Sequence, residues 1–171
     1  MQATCRGVNM KKSLSFLLFF IFCFAIANAK YRNQKFDRSA YYSIMASGKL
    51  SDINEELNTL STATVSEKEA YEGALLMRKA GLVKVPAEKL KFFKRGRIKL
   101  ETALLNENNN GEYHFLRLII QEHAPKIVKY KADIETDKEL IKRSYKTLLP
   151  AVQQAIMDYS KSSKILHPQD L

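Results

Sequence analysis

Cysteine and tryptophan are scarce or absent in this chain. Its 171 residues include two cysteines, Cys5 and Cys23, and no tryptophan. Both cysteines lie within the first 29 residues, which the pattern described below marks for removal. A mature domain without cysteine has no disulfide and no thiol chemistry, even in an oxidising compartment. That excludes a small fold stapled by disulfides, so packing alone has to hold the domain together.

Glycine-rich loops and catalytic motifs are also missing. The 6 glycines are scattered along the chain, so there is no phosphate-binding loop, and no Gly-x-Ser-x-Gly turn presents a nucleophilic serine. The three histidines, His114, His123 and His167, lack the close helical spacing of a zinc site. We therefore predict no metal and no cofactor, and no motif nominates a reaction.

One asparagine-rich segment superficially resembles a calcium-binding loop. Residues 106–111 place oxygen donors at alternate positions before a glycine. The twelfth position of such a loop needs a bidentate glutamate, but Arg117 stands there, and no aspartate is among the first donors. We interpret the segment as a turn whose asparagines tolerate left-handed backbone conformations.

The first 29 residues have the pattern of a signal peptide. Lys11 and Lys12 precede an apolar run at 14–26, which ends in the small-residue site Ala27-Asn28-Ala29. We predict cleavage after Ala29 and export to the periplasm or cell envelope, with residues 1–9 an over-extended start. A membrane anchor is the alternative, but the apolar run is shorter than the roughly 20 residues that a spanning helix needs.

The sequence after residue 29 lacks the patterns typical of β-strands and has residues typical of helix ends instead. Gly48 is a C-cap residue, and Pro86 and Pro150 suit first helical positions. Ser51 is a predicted N-cap, and Ser66 with the glutamate three residues later predicts a capping box. We predict an all-α domain at 39–162, between a mobile arm at 30–38 and a frayed tail at 163–171. Five of the predicted helices lie at about 39–47, 66–81, 86–105, 112–122 and 133–148, and two more begin at 51 and at 150.

Two of these helices have faces of small residues that favour a tight hairpin. At 100° per residue, Ala70, Gly73, Ala74 and Met77 share one face of the helix at 66–81. The next helix has an inner face formed by Phe93, Gly96, Leu100, Ala103 and Leu104. Small side chains on facing surfaces allow two helix backbones to approach closely, so we expect Gly73 and Gly96 at positions of close packing.

This hairpin resembles a tetratricopeptide repeat. Tyr71, Gly73 and Ala74 resemble its first helix, Gly96, Leu100 and Ala103 its second, and Asn108-Asn109 its closing turn. Tyr113, Leu116 and Ile120 then resemble the start of another unit. The turn at 82–85 is longer than the repeat allows, and the pattern is lost after Pro125. The resemblance covers about a third of the mature chain and implies stacked hairpins with a concave surface for a peptide or protein, and no catalysis. An irregular helical bundle is the alternative, and the chain also resembles small exported proteins of Gram-negative bacteria.

The helix at 112–122 is apolar around most of its circumference and should be central in the fold. Its polar stripe consists of His114, Arg117 and Gln121. Arg117 keeps its charge in any environment and therefore needs a carboxylate or several carbonyls. The stripe is either satisfied internally or lines a groove for a partner. An acidic group at Glu135, Asp137 and Glu139, by contrast, is predicted to be a solvated helix face.

The chain is basic, with 28 lysines and arginines against 18 acidic residues, and the leader removes three of the bases. Because acids and bases are interleaved, a solvated surface is the simpler interpretation of the excess. The alternative is an anionic envelope component, since nucleic acid is not an expected partner for an exported protein. The outer face of the helix at 86–105 carries the candidate residues Lys91, Lys94, Arg95 and Lys99.

These patterns leave three hypotheses for function. The first is a non-catalytic periplasmic scaffold that holds an unknown peptide or protein in a hairpin groove, with His114, Arg117 and Gln121 as binding residues. The second is a basic module for anionic envelope components. The third is an enzyme of unknown reaction with a site at the stripe. Binding to a polyanion weakens steeply as salt rises, whereas groove packing does not, so salt dependence separates the first two.

Overall fold

The computed structural model describes residues 36–171, and this part of the chain is all-α, as the sequence predicts. It contains no strand. Three short 3₁₀ turns, Lys126–Val128, Tyr145–Thr147 and Pro168–Asp170, join or follow the helices. The seven α-helices of this part are α1 (Arg38–Ser47), α2 (Leu50–Thr62), α3 (Lys68–Leu82), α4 (Pro86–Asn106), α5 (Gly111–His123), α6 (Ile134–Ser144) and α7 (Pro150–Ser160). The predicted signal peptide and residues 30–35 of the predicted arm lie outside the described residues.

The positions of glycine and proline predict the helix ends better than the predicted side-chain caps do. Gly48 ends α1 in a left-handed conformation with a φ of 64°, and Pro86 and Pro150 stand in the first turns of α4 and α7. Each of these effects depends on the residue's own backbone freedom or restriction, so the surrounding fold does not change it.

Both predicted serine caps are wrong. The helix α2 begins at Leu50, one residue before Ser51, and its N-cap has no side-chain hydrogen bond. The helix α3 begins at Lys68, so Ser66 lies outside it. In each case the serine hydroxyl donates to the carboxylate of the next residue, at 2.8 Å for Ser51 and 2.9 Å for Ser66. A nearby carboxylate competes with the helix N-terminus for the serine side chain.

The most extensive contact in the fold is between α3 and α4, and it is a contact between backbones. A Cβ atom placed on Gly73 would lie 2.8 Å from the Gly96 carbonyl oxygen and 2.6 Å from the Leu100 nitrogen. One placed on Gly96 would lie 2.5 Å from the Gly73 carbonyl oxygen. The small-residue faces therefore meet as predicted, because only glycine leaves room for this approach.

The helices α3 and α5 lie at the centre of the core. Ten of the thirteen residues of α5 are buried, which confirms that the helix apolar around most of its circumference is central. Its Phe115 is almost completely enclosed, and Tyr71 of α3 is fully buried. The loop before α5 is a turn, as predicted, and Asn110 in that turn caps the helix by accepting from the amides of Glu112 and Tyr113.

The predicted frayed tail is instead packed on the domain. Leu166 is fully buried in the core, and the Ser163 hydroxyl donates to Glu122 of α5 at 2.7 Å. The ammonium group of Lys138 lies 3.0 Å from the carboxylate of Asp170. The prediction of fraying is wrong because one apolar anchor and several polar contacts hold a segment whose local sequence has no helical pattern.

The last residues of the predicted arm also belong to the domain. Phe36 is buried, with its ring 4.6 Å from that of Tyr71, and Asp37 caps α1 by accepting from the amide of Ser39 at 2.8 Å. Arg38 is the first residue of α1. Within residues 36–171, no helix has both the length and the apolar character needed to cross a bilayer.

Candidate functional site

The predicted polar stripe of α5 faces the interior. His114 is 4% exposed, Arg117 is 8% exposed and Gln121 is completely buried. Their side chains are therefore enclosed by the fold. Of the two alternatives for the stripe, enclosure in the fold or a groove for a partner, the structure has the internal one.

The partner of Arg117 is Asp137 of α6, which is fully buried. Arg117 Nη2 donates to Asp137 Oδ1 at 2.7 Å and Nε donates to Oδ2 at 2.9 Å, so the contact is bidentate. Nη1 donates to Glu101 Oε2 of α4 at 3.0 Å. Burial acts to lower the pKa of Arg117, but the hydrogen bonds and charge of Asp137 outweigh it and hold the pKa above its ordinary value.

His114 completes the network, which we call the Asp137 cluster (Glu101, His114, Arg117 and Asp137). Its Nδ1 lies 2.6 Å from Asp137 Oδ1, and its Nε2 lies 2.8 Å from the backbone oxygen of Asn108. The ring therefore links Asp137 to the loop before α5. The cluster joins α4, α5 and α6 and the loop before α5, which is the arrangement of a structural ion-pair network.

The prediction of a solvated acidic face at 135–139 is wrong for its middle member. Glu135 and Glu139 are exposed, but Asp137 is the fully buried centre of the cluster. The signal that could have found it is helical spacing. Ile134, Asp137 and Ile141 lie at i, i+3 and i+7, so the carboxylate shares a face with two apolar residues.

Gln121 is the one stripe residue without an internal partner among the described residues. Both polar atoms of its amide are buried and form no hydrogen bond. A buried polar group left unpaired costs about 1–3 kcal/mol. The residue is therefore a local cost to the stability of the fold and contributes nothing to a groove.

A second buried polar cluster surrounds Glu112, and sequence reasoning did not identify it. The hydroxyls of Tyr42 and Tyr71 donate to Glu112 Oε1 at 2.8 Å and 2.6 Å, and Arg38 Nε lies 3.7 Å from Oε2. Burial raises the pKa of Glu112 even though these contacts act to lower it. An open cavity of about 470 Å³ lies nearby, lined by residues 36–38 and 149–151 and not by Glu112.

The basic face of α4 is present at the surface, with one correction. Lys91, Lys94 and Arg95 are exposed, and no acidic residue of the described chain pairs with them. Lys99 differs, because its ammonium group lies 2.6 Å from Glu69 and 2.9 Å from Glu72 of α3. Lys99 therefore supports the α3–α4 hairpin and does not belong to the free basic surface.

Charge in this region is segregated, which the sequence analysis missed. Residues 84–99 contain seven lysines and arginines and one acidic residue. The chain as a whole has 28 basic and 18 acidic residues, so this short segment carries much of the excess. Interleaving of opposite charges, the basis for expecting an ordinary solvated surface, does not hold here.

The same helix exposes three large apolar side chains. Leu90, Ile98 and Leu105 are 52%, 67% and 82% exposed. Single exposed leucines are ordinary on a protein surface. These three fall within an arc of about 80° on one helix, opposite the face that packs on α3. We call Leu90, Lys91, Lys94, Arg95, Ile98 and Leu105 the outer face of α4.

Comparison with known proteins assigns no family. No protein-family model matches the chain, no curated protein is similar to it, and no solved structure matches it. Among residues 36–171, no group of three metal-ligating side chains comes together. The outer face of α4 is the candidate functional site because its three basic and three apolar side chains are exposed and lie outside the hydrophobic core.

Proposed function

We propose that this protein is a non-catalytic binding module that holds an anionic component of the cell envelope on the outer face of α4. In this proposal the chain is exported and cleaved after Ala29, as its leader pattern predicts. The observation that carries the proposal is that residues 84–99 contain seven bases and one acid, and that six of these bases, all except Lys99, make no ion pair in the described chain. A surface of one sign attracts ligands of the opposite sign and accelerates their association.

The contacts of the free bases support this assignment. Lys91, Lys94 and Arg95 make no ion pair within the described chain, whereas Lys99 and Arg117 are bound by internal carboxylates. A base that stabilises the fold is paired with a carboxylate. These three bases are unpaired and are therefore free to bind a ligand. The peptide-groove hypothesis has less support, because the residues proposed to bind the peptide are enclosed.

The experiment is retention of the full-length protein on a sulfated polysaccharide column at increasing salt. We expect the parent to bind at low salt and to elute as salt rises, since exposed charges are screened within about 10 Å at 0.1 M salt. The variant Lys91→Gln/Lys94→Gln/Arg95→Gln, called the α4 triple variant below, should elute at much lower salt.

A matched control removes three exposed lysines elsewhere. Lys49→Gln/Lys146→Gln/Lys164→Gln changes the net charge by the same amount on other parts of the surface, at lysines that also make no ion pair in the described chain. It should elute close to the parent if the outer face of α4 is the binding surface. Equal loss of retention in both triple variants would show that net charge alone drives binding, and would contradict the proposal.

A further inference from the structure

We infer that the anionic component is a phospholipid bilayer, and that α4 lies on its surface with Leu90, Ile98 and Leu105 entering the boundary between headgroups and acyl chains. This inference rests on the proposed function and names its ligand. Helices with an apolar stripe and lysine or arginine beside it bind anionic bilayers in this orientation.

The geometry of the outer face fits this orientation. Leu90 and Ile98 are separated by two turns, and Leu105 lies two turns further along. At 1.5 Å per residue the apolar stripe is about 22 Å long. At 100° per residue Lys94 falls within the arc, and Lys91 and Arg95 lie about 20° and 60° beyond its edge. From there their long side chains extend to phosphate groups while the apolar residues point downward.

The apolar residues distinguish a bilayer from a soluble polyanion. A polysaccharide or polyphosphate would neutralise the bases and leave Ile98 and Leu105 in water. The opposite side of α4 is fixed to α3 by the contact between Gly73 and Gly96, so the outer face is presented on a rigid element. A single convex helix offers little enclosure to a folded partner, but it matches a flat, deformable surface.

A loop beside α4 also exposes apolar and basic side chains. Tyr130 holds this loop against α4, with its ring 5.6 Å from that of Phe93 and beneath the guanidinium of Arg97 at 5.1 Å. The loop carries Ile127, which is almost fully exposed, between the exposed Lys126 and the half-buried Val128. Apolar and basic groups therefore recur beside the helix as well as along it.

The test uses the absence of tryptophan from the chain. In Ile98→Trp, the single tryptophan should show a blue-shifted emission with vesicles of phosphatidylglycerol and phosphatidylcholine, and no shift with phosphatidylcholine alone. Leu149→Trp places the control probe at another exposed apolar position, immediately before α7, where the native side chain is 51% exposed against 67% for Ile98. Its emission should not change with either vesicle.

Two further variants separate the inference from the proposed function. Ile98→Ser/Leu105→Ser should reduce partitioning onto anionic vesicles by about tenfold, because less apolar surface is buried. Its retention on the sulfated column should match that of the parent. The α4 triple variant should lose both activities, with vesicle partitioning reduced by about 100-fold, since each base contributes about 1 kcal/mol at an anionic surface.

Several outcomes would overturn the inference. If the double serine variant partitions like the parent, no apolar insertion occurs, while retention on the column would still support the proposed function. An equal blue shift with vesicles of phosphatidylcholine alone would show that binding does not need negatively charged lipid. A shift that grows with protein concentration in the absence of vesicles would show that a second copy covers the face. If the parent bound neither the column nor the vesicles, that result would contradict the proposed function itself.

Discussion

At the residue scale, the buried charge of Asp137 is balanced within a few ångströms. Asp137 has no exposed surface, and it is compensated by the bidentate contact of Arg117 and by the ring of His114. Removing one partner of such a pair leaves an unpaired charge in a region that water does not reach. Arg117 therefore has its main role in stability.

Arg117→Met should destabilise the protein by about 3–5 kcal/mol, because Asp137 would remain buried without its guanidinium. Thermal or denaturant unfolding of the parent and the variant measures this difference. The control is Lys161→Met, which breaks the exposed ion pair with Asp158 and should leave the stability close to that of the parent. Similar melting of the Arg117 variant and the parent would contradict the role assigned to the Asp137 cluster.

Glu112 should make the stability of the parent depend on pH. Burial raises its pKa in the folded state, so the folded protein binds the proton more tightly than the unfolded chain does. Its contribution is therefore fully present below the unfolded value of about 4.3 and is lost as pH rises through the folded pKa. We expect the unfolding free energy of the parent to fall relative to that of Glu112→Gln over this window. A difference that is constant with pH would show that Glu112 does not titrate as described.

At the element scale, the hairpin of α3 and α4 depends on the absence of side chains at two positions. Gly96→Leu should destabilise the protein by about 1–3 kcal/mol, although leucine is the better helix former, because its side chain would meet the backbone of α3. The control Gly81→Ala lies in the last turn of α3 with open space around it, and it should raise stability by up to about 1 kcal/mol. Melting of Gly96→Leu at or above the parent temperature would contradict the close approach of the two helices.

The C-terminal tail is held in part by the carboxylate of Glu122. Burial acts to raise the pKa of Glu122, but hydrogen bonds from the Tyr159 hydroxyl, the Lys164 amide and the Ser163 hydroxyl outweigh it and lower the pKa. A lowered pKa stabilises the fold above the unfolded value of about 4.3, and this stabilisation is lost as pH falls through the folded pKa.

Glu122→Gln should therefore be less stable than the parent at neutral pH, with a difference that shrinks under acid conditions. Unfolding measurements between pH 2 and pH 7 follow this change. A gap between the two proteins that widens as pH falls would show that Glu122 does not anchor the tail in its charged form.

Sequence reasoning succeeded where the determinant is local and missed what depends on tertiary contacts. Gly48, Pro86 and Pro150 fix helix ends through their own backbone properties, and the small faces at Gly73 and Gly96 follow from helical periodicity. The burial of Asp137 left only a weak local signal, its helical spacing with two isoleucines, because its partner Arg117 lies on another helix. The packing of the tail was missed for the same reason, since it depends on Glu122.

At the scale of the whole molecule, charge is divided between two uses. The interior uses Arg117, Asp137 and Glu112 in closed contacts. Residues 84–99, apart from the paired Lys99, present bases without an ion pair beside exposed apolar groups. Uncompensated charge of one sign does not stabilise a fold, because like charges repel. The segregation is therefore better explained by binding to a ligand than by stability.

Export is the second expectation at this scale. N-terminal sequencing of the protein extracted from the envelope fraction should begin at Lys30, since the leader ends in the small-residue site at 27–29. A protein that retains Met10 would contradict cleavage and the assignment to the cell envelope.

The most direct test of the central claim is fractionation of cells that produce the parent, the α4 triple variant and the matched triple variant. After osmotic shock, we expect the parent and the matched variant in the membrane pellet and released by a wash at about 1 M salt, where the screening length is about 3 Å. The α4 triple variant should appear in the soluble fraction. If it stays in the pellet with the parent, the outer face of α4 is not what holds this protein to the envelope.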